Sequence, residues 1–347
     1  MMKKVFVAMS GGVDSSVTAA LMQQAGYDVT GVYMKNWTRD MPGHHCPWQE
    51  DYQDAKRVAV QLGLKFKVYD FESDYKSKVV DYMLAEYQAG RTPNPDIMCN
   101  QEVKFKLFLN TALSQGADYI ATGHYGRVVN AQLWAGVDDN KDQSYFLYRI
   151  SKPALEKTIL PIGDYLKPEI RKLAKTLGLV TADKKDSQGI CFVGKVGIKE
   201  FLGQYITSQP GDIIDQHGKL VGRHDGAIYY TIGQRQGLHV GGGYPYYVTG
   251  KDMPGNIVYV TTDLQDEQLW HKDIRLTDMH WIDEFKFASG LSARTRYRAS
   301  LVKVKSLKPI NDKTWQLQLK DDVRAVTPGQ SVVIYDQEHV LGGGIVI

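Results

Sequence analysis

Cysteine is scarce in this sequence, and it contains no long apolar run. Three cysteines in 347 residues exclude the disulfide framework of a small secreted domain and predict thiols that are reduced at rest. The longest apolar runs are far shorter than the roughly 20 residues of a membrane span. The basic N-terminus followed by V-F-V-A-M is too short for a signal peptide and breaks at S-G-G. We therefore expect a cytoplasmic protein that binds no membrane.

A strong net charge is also absent. The formal net charge of +3 differs from that of a strongly basic nucleic-acid-binding protein. Basic residues are nevertheless concentrated between Leu291 and Lys308, where no acidic residue occurs. They are Arg294, Arg296, Arg298, Lys303, Lys305 and Lys308. On a predicted strand the three arginines would share one face, which indicates either a phosphate-binding patch or an ordinary solvated β face. Tyr297 would point the other way unless the strand bends or ends there.

The chain divides into three parts by its sequence pattern. Residues 1–200 alternate strand and helix patterns, which predicts an α/β fold with a doubly wound parallel sheet and a ligand site at the carboxyl ends of its strands. Residues 201–271 are rich in Gly, Tyr and Val without a helical period and predict a small domain of short antiparallel strands. Residues 272–347 contain alternating runs such as T-W-Q-L-Q-L-K and predict a β-barrel domain.

The stretch M-S-G-G-V-D-S-S, residues 9–16, lies between a strand pattern and a helix pattern. Its glycines allow positive φ angles and close approach of a ligand, and a helix start offers free N–H groups to an anion. An ordinary strand-to-helix turn is the alternative, and the Walker A pattern is absent. The whole string resembles the pyrophosphate loop of the ATP pyrophosphatase superfamily, which implies an adenine nucleotide alpha hydrolase-like sheet and cleavage of ATP between the α and β phosphates.

Two cysteines lie in stretches that favour a functional role. Cys99 follows T-P-N-P-D, whose prolines predict a stiff, extended loop without helix, and it precedes a helix pattern that begins at about Glu102. A cysteine near a helix N-terminus is more readily a reactive thiolate, whereas a buried core cysteine is the alternative. Cys191 lies in a glycine-bearing loop among Lys184, Lys185 and Lys195, and such an electropositive setting also favours thiolate.

Together these stretches resemble the tRNA-specific 2-thiouridylase family over essentially the whole chain. The resemblance implies that Cys99 is the nucleophile, that Cys191 carries a persulfide, and that the two form a transient disulfide. The implied ATP contacts are Ala8, Met9, Ser10, Gly11, Gly12, Val13, Asp14, Ser15, Met34 and Gly123. The implied tRNA contacts are Asn94, Pro95, Asp96, His124, Lys141, Asp142, Gln143, Arg296, Tyr297 and Gln330.

The resemblance also implies a reaction and its partners. ATP would adenylate C2 of the wobble uridine of a tRNA, because a carbonyl oxygen is a poor leaving group until it becomes an AMP ester. Mg²⁺ would assist the departing pyrophosphate, with Asp14 as either a carboxylate on the metal side or a helix first-turn charge. A sulfur-relay protein would load the persulfide, and the family acts on tRNAs for Lys, Glu and Gln. No stable prosthetic group is expected.

Two other functions share parts of this pattern. A different adenylating enzyme of the same superfamily would keep S-G-G-V-D-S without needing Cys99 or Cys191. A non-catalytic RNA-binding protein could retain the nucleotide fold without activity. The H-H-C stretch of His44, His45 and Cys46 has no second ligand pair at zinc spacing, so we expect no metal site there.

Overall fold

The computed structural model describes residues 2–40, 46–186, 197–241 and 243–347. The strands are β1 (Lys4–Ala8), β2 (Asp28–Lys35), β3 (Lys65–Asp70), β4 (Tyr119–Ala121), β5 (Gly126–Val129), β6 (Gln132–Ala135), β7 (Thr158–Ile159), β8 (Gly211–Asp215), β9 (Leu220–His224), β10 (Tyr247–Asp252), β11 (Ile257–Thr261), β12 (Trp270–Trp281), β13 (Ser292–Arg294), β14 (Val302–Pro309), β15 (Thr314–Arg324), β16 (Ser331–Asp336) and β17 (His339–Val346). The α-helices are α1 (Val13–Gln24), α2 (Trp48–Gln61), α3 (Glu72–Tyr75), α4 (Asp81–Gln88), α5 (Pro95–Met98), α6 (Leu109–Ser114), α7 (Lys152–Leu155), α8 (Lys167–Thr176) and α9 (Ile198–Leu202). Two π-helical stretches, Lys76–Val80 and Cys99–Phe108, join α3 to α4 and α5 to α6.

A five-stranded parallel sheet forms the first part of the chain, in the order β3-β2-β1-β4-β7. The chain moves outward in one direction from β1 to β3 and in the other from β4 to β7. The order therefore reverses between β1 and β4, and ligands of such sheets bind beyond the carboxyl ends of the strands at that point. The turns after β1 and β4 are the S-G-G-V-D-S and T-G-H stretches.

Both faces of this sheet are covered. Along β1, Phe6 and Ala8 pack in one apolar cluster with α4 and the helical stretch from α5 to α6, whereas Val5 and Val7 pack in a second cluster with α1, α2 and α8. Alternate side chains of a strand point to opposite faces, so a buried apolar run is the pattern that two covered faces require. The predicted doubly wound sheet is confirmed.

Two β regions follow. The central region has a four-stranded sheet in the order β10-β11-β8-β9. Its β11–β8 pair is parallel, so the expectation of antiparallel strands throughout is wrong for this pair. The C-terminal strands β12-β15-β14-β13-β16-β17 close into a six-stranded barrel through the pairing of β12 with β17, which confirms the predicted barrel.

The hairpin β5–β6 leaves the first sheet and extends the barrel. Val340 and His339 of β17 pair with Leu133 and Trp134 of β6, and the rings of Trp134 and His339 stack at 5.0 Å. The sequence pattern did not predict this connection. Within the described residues, no helix has the length and apolar character needed to cross a bilayer.

Candidate active site

The turn after β1, residues 10–15, is built to leave the start of α1 accessible. Gly11 has a φ of +76°, and Gly12 caps α1 without any side-chain hydrogen bond to the helix. Instead, the Ser15 hydroxyl donates to the Gly12 carbonyl at 3.1 Å and accepts from the Ser10 amide at 3.2 Å. First-turn N–H groups of α1 thus receive no side-chain cap, which is the arrangement that suits a bound phosphate. The chain therefore fits the triphosphate of ATP here.

Close backbone contacts fix this turn. A Cβ on Gly11 would lie 2.2 Å from the Asp51 carbonyl oxygen. A Cβ on Gly123, in the turn after β4, would lie 2.9 Å from the Asp14 carbonyl carbon and the Ser15 amide nitrogen. The two predicted nucleotide turns therefore touch through backbone atoms, at the switch point of the sheet. Met34 is half-buried near the end of β2, and Ala8 and Met9 are buried at the end of β1.

Asp14 is held by a lysine that the sequence analysis did not identify. Lys167 Nζ lies 2.7 and 2.8 Å from the two carboxylate oxygens of Asp14, and the Tyr125 hydroxyl donates to Asp14 at 2.9 Å. Burial, reinforced by Asp14, raises the pKa of Tyr125. Both oxygens of Asp14 are thus bonded to an ammonium group. The expected contact of Asp14 with Mg²⁺ therefore stays a prediction.

Lys167 also joins Asp14 to Asp186. Asp186 accepts from Lys141 at 2.7 Å and lies 2.8 Å from Lys167 and 2.5 Å from Arg171. Burial alone would raise the pKa of Asp186, but the hydrogen bonds from Lys141 and Lys167 together lower it to about 2. Asp186 is therefore ionised at neutral pH. Lysine at the first position of α8 opposes the helix dipole, and this unfavourable placement was the local signal that Lys167 has an anionic partner.

Cys99 lies in a helix rather than before one. Asn94 caps α5 by accepting from the amides of Asp96 at 3.1 Å and Ile97 at 3.4 Å, and Pro95 is the first helical residue. The expected extended loop up to about Glu102 is therefore wrong, because proline at the first helical position needs no N–H partner and helps to start the helix. The helix runs on through Cys99, whose side chain is 1% exposed.

Within the described residues, Cys46 and Cys99 are not bonded to each other. Cys191 lies outside the described residues, and so do His44 and His45. The predicted disulfide between Cys99 and Cys191 therefore involves a residue outside the described part of the chain, and it stays a prediction. The segment of residues 146–149 holds the Cys99 helix, because Asn100 Nδ2 donates to the Phe146 carbonyl at 3.0 Å and Arg149 donates to Gln101.

His124 connects the Cys99 helix to the nucleotide turns. Its Nε2 lies 3.1 Å from Lys104 Nζ, in the same helix as Cys99, and its Nδ1 lies 2.7 Å from the Thr122 hydroxyl. Burial, together with the nearby Lys104 charge, lowers the pKa of His124 well below its usual range. The imidazole is neutral and accepts from the lysine. His124 is 9% exposed, so the structure places this predicted tRNA contact inside the protein.

Comparison with known proteins gives the family. The model of the tRNA methyl transferase HUP domain matches residues 3–195, that of the tRNA methyl transferase PRC-barrel domain residues 199–262, and that of the aminomethyltransferase beta-barrel domain residues 271–346. The tRNA-specific 2-thiouridylase MnmA of Bacillus velezensis is 48% identical over 99% of this chain and 94% of its own length. The chain belongs to the tRNA-specific 2-thiouridylase family.

A further curated protein of the same name also matches. The tRNA-specific 2-thiouridylase MnmA of Shewanella amazonensis is 46% identical over 99% of this chain and 94% of its own length. A crystal structure of a 4-thiouridine synthetase–RNA complex with bound ATP matches 58% of this chain and 50% of that chain, with 19% identity and a TM-score of 0.39.

In this member of the 2-thiouridylase family, the side chains of the K-D-Q segment, residues 141–143, form hydrogen bonds within the protein. Asp142 is 3% exposed and accepts from the Gly136 and Ser144 amides and from Arg294 Nη1 at 2.9 Å. Gln143 accepts from the Tyr125 amide at 2.9 Å. Lys141 is paired with Asp186, as described above. These three side chains join the nucleotide turns to the barrel, and their contact with tRNA stays a prediction.

Of the barrel residues expected to contact tRNA, Gln330 lies beside the segment that leads into the N-P-D loop, residues 94–96. The strand β13 ends at Arg294, and Arg298 has a φ of +61°. The expected strand through Arg298, with three arginines on one face, is therefore wrong. Tyr297 packs at 4.4 Å from Phe146, and Gln330 Nε2 donates to the Thr92 carbonyl at 2.7 Å.

A cleft between the central region and the barrel carries a charge and aromatic pattern that the sequence analysis missed. It encloses about 580 Å³ and is lined by Arg296, Arg324, Tyr247 and Trp270 among others. The Arg324 guanidinium lies 4.7 Å from the centre of the Tyr247 ring. Arginines beside aromatic rings suit phosphates and stacked bases. Tyr247 and Arg324 come from different regions, so no single stretch of sequence indicated the cleft.

Proposed function

We propose that this protein synthesises 2-thiouridine in tRNA by adenylating C2 of the wobble uridine with ATP and then transferring sulfur from a cysteine persulfide. One observation carries the proposal. The uncapped turn of residues 10–15 touches Gly123, and the adjacent His124 is bonded to Lys104 in the helix that contains Cys99. A phosphate-binding turn and the helix that carries a thiol are thus connected by direct contacts, which suits an adenylation followed by sulfur transfer.

In the first step, the N–H groups of α1 stabilise negative charge that develops on the departing pyrophosphate. The uridine O2 attacks the α phosphate of ATP, the bond between the α and β phosphates breaks, and pyrophosphate leaves. Mg²⁺ supplies further charge neutralisation when it is bound to the phosphates. His124, which is neutral because of its burial, orients Lys104 beside the nucleotide turn without adding a positive charge.

In the second step, a persulfide on Cys191 supplies sulfur at C2 and AMP leaves with the former O2. Sulfur either attacks directly from the persulfide or attacks as sulfide after Cys99 has cleaved the persulfide bond. In the direct route, the outer sulfur bonds to C2 as AMP leaves, and Cys99 then attacks Cys191 Sγ, which breaks the S–S bond and leaves the outer sulfur on C2. In the sulfide route, Cys99 attacks Cys191 Sγ first and the released sulfide attacks C2. In each case the attack of Cys99 leaves a disulfide between Cys99 and Cys191. An external thiol reduces this disulfide before the next cycle.

The proposed partners are those that membership of the 2-thiouridylase family implies. The substrates are tRNAs for Lys, Glu and Gln, and a sulfur-relay protein loads the persulfide. Asn94, Pro95 and Asp96 contact the target base, and Lys141, Asp142, Gln143, Arg296 and Tyr297 contribute to the tRNA site. Gln330, the remaining barrel residue expected there, instead donates to the Thr92 carbonyl. The extruded base is recognised by shape and stacking, as in other enzymes that modify a base.

Incubation with ATP, Mg²⁺, a transcript of each tRNA and a persulfide donor tests the proposal. We expect 2-thiouridine and AMP in equal amounts, detected by nucleoside mass spectrometry and nucleotide chromatography. Cys99→Ser and Cys191→Ser should abolish thiolation, whereas Cys46→Ser is the matched control and should retain it. AMP formation that depends on ammonia but on neither cysteine would indicate an amide-forming enzyme instead. Tight tRNA binding without AMP would indicate a binding protein, and methyl incorporation from S-adenosylmethionine a methyl transferase.

A further inference from the structure

In the loop before Cys99, both the backbone amide and the backbone carbonyl of Thr92 are hydrogen-bonded to the barrel. The Thr92 amide donates to the Pro328 carbonyl at 2.8 Å, and the Gln330 side-chain amide donates to the Thr92 carbonyl at 2.7 Å. Both partners belong to the barrel turn, residues 327–330, between β15 and β16. Thr92 itself is 8% exposed. Its backbone is therefore fixed by the barrel rather than by its own neighbours in the chain.

The backbone of the barrel turn is shaped for this contact. Gly329 has a φ of +90°, and a Cβ there would lie 2.8 Å from the Thr92 amide nitrogen and 3.0 Å from Arg91 Cβ. The central region adds a third contact, since the Thr231 and Thr92 hydroxyls lie 3.3 Å apart. Only glycine permits the approach, so the turn and the loop fit together by main-chain contact.

Arg296 holds the same turn from its other side. Its Nη2 donates to the Ala325 carbonyl at 2.9 Å, to the Thr327 hydroxyl at 3.1 Å and to the Ile232 carbonyl at 3.4 Å. The guanidinium is half-buried among these acceptors. Two of the side chains expected to face RNA, those of Arg296 and Gln330, thus form hydrogen bonds where the barrel, the central region and the loop before Cys99 meet.

The position of Thr92 is transmitted to Cys99 through a stiff connection. Pro93 and Pro95 fix the φ angles on either side of Asn94, and Asn94 caps the helix that contains Cys99. A shift of Thr92 therefore moves the N-P-D loop and the start of the Cys99 helix together. Misplacement of reacting groups by about 1 Å can lower a rate roughly a hundredfold, so this support matters for the chemistry.

We propose that Gln330 is a positioning residue for sulfur transfer, which acts by holding Thr92 so that the N-P-D loop and Cys99 are correctly placed. The role deepens the proposed function and rests on it. The Gln330 amide acts on the loop, and loss of its donor changes the rate of the reaction rather than the affinity for tRNA. A direct contact with tRNA would have the opposite signature.

Gln330→Glu tests this role, because a carboxylate has the same shape but no N–H to donate to the Thr92 carbonyl. In single turnovers at saturating tRNA and ATP, we expect 2-thiouridine formation to slow by about tenfold to a hundredfold, with a change of less than about threefold in the dissociation constant of tRNA. Gln337→Ala, on the exposed end of the β16–β17 hairpin, is the matched control. A loss of about tenfold in tRNA affinity, as expected for one lost hydrogen bond, with an unchanged saturated rate would overturn the proposal.

Hydrogen exchange gives a readout that does not depend on activity. In Gln330→Glu, we expect the amides of residues 90–98 to exchange about tenfold faster, while those of β16 (Ser331–Asp336) remain as protected as in the wild type. Equal exchange of residues 90–98 in the two proteins would refute the positioning role. Absence of 2-thiouridine from the wild type would instead refute the proposed function, and the exchange result would still decide whether Gln330 holds the loop.

Discussion

At the scale of single residues, the nucleotide turn is held by charged side chains that are distant from it in the sequence. Lys167 is 9% exposed and bonds to Asp14 and Asp186. Removal of one partner from such a buried set leaves the other charges without compensation, which costs more than the pair contributes when it is intact. The stability of the site and its affinity for a triphosphate therefore both depend on this lysine.

Lys167→Met should lower the free energy of unfolding by about 3 kcal/mol, measured by urea denaturation. Asp14→Asn in the same background should cost about 1–3 kcal/mol less than it does alone, because the two mutations remove one shared interaction. The exposed Lys172→Met in α8 is the control and should change the stability by less than about 0.5 kcal/mol. Additive effects of the Lys167 and Asp14 mutations would contradict the pairing.

His124 makes stability depend on pH. Its pKa is lowered in the folded protein by burial and by Lys104, so the unfolded chain binds a proton near pH 6.5 that the native protein does not bind. The stabilising contribution of the neutral imidazole is therefore fully present above pH 6.5 and decreases below it, by at most about 1.4 kcal/mol per pH unit. The stability advantage of the wild type over His124→Gln should shrink from pH 7.5 to 5.5 in urea titrations. An advantage that is constant over this range would count against a neutral buried histidine.

At the scale of elements, the two glycines of the nucleotide turn have different structural roles. Gly11 requires a positive φ and close approach to Asp51, whereas Gly12 has a φ of −91° and its Cβ would lie 3.5 Å from Ser10 Oγ. Positive φ angles are strained for residues with a side chain. The first glycine is therefore needed for the fold of the turn, and the second leaves room for a ligand.

Gly11→Ala should destabilise the protein by about 2 kcal/mol or more, and it should abolish AMP formation because the turn cannot close. Gly12→Ala is the matched control for stability, and it should change the free energy of unfolding by less than about 1 kcal/mol. Thermal unfolding followed by circular dichroism compares the two. Similar losses from both substitutions would show that crowding near Asp51 does not matter.

Local patterns predicted the elements well, and distant contacts account for the errors. The S-G-G-V-D-S turn could be predicted because its glycines and the start of α1 are adjacent in the chain. The helix start at Pro95 was also encoded locally, by Asn94 as a cap and proline after it, but the two prolines were interpreted as an extended loop. The end of β13 at Arg294 could not be predicted, because the partner of Arg294 is Asp142 in another part of the sequence.

At the scale of the whole molecule, the barrel and the parallel sheet share a core. Tyr145 donates to the Ser331 carbonyl at 2.8 Å, and the ion pair of Arg294 with Asp142 is buried between the two. The segment after the K-D-Q stretch thus packs on the barrel. The arginines of the basic stretch divide accordingly, because Arg294 faces inward whereas Arg298 is exposed.

Arg294→Leu should lower the free energy of unfolding by about 3–5 kcal/mol, since it leaves the Asp142 carboxylate buried without its cation. Arg298→Ala should change the stability by less than about 0.5 kcal/mol. It should weaken tRNA binding and reduce the slope of log affinity against log salt by about one. Filter binding at several salt concentrations measures the slope. An effect of Arg298 on stability larger than that of Arg294 would reverse the assignment.

The pairing of β6 with β17 affects how the chain is made. The hairpin β5–β6 is synthesised early. Until β17 is synthesised, the backbone amide and carbonyl groups on the outer edge of β6 have no strand to pair with. Such an unpaired edge attracts other strands, and pairing over a long stretch of sequence is slow. We therefore expect nascent chains that have not yet produced β17 to be prone to aggregate through this edge.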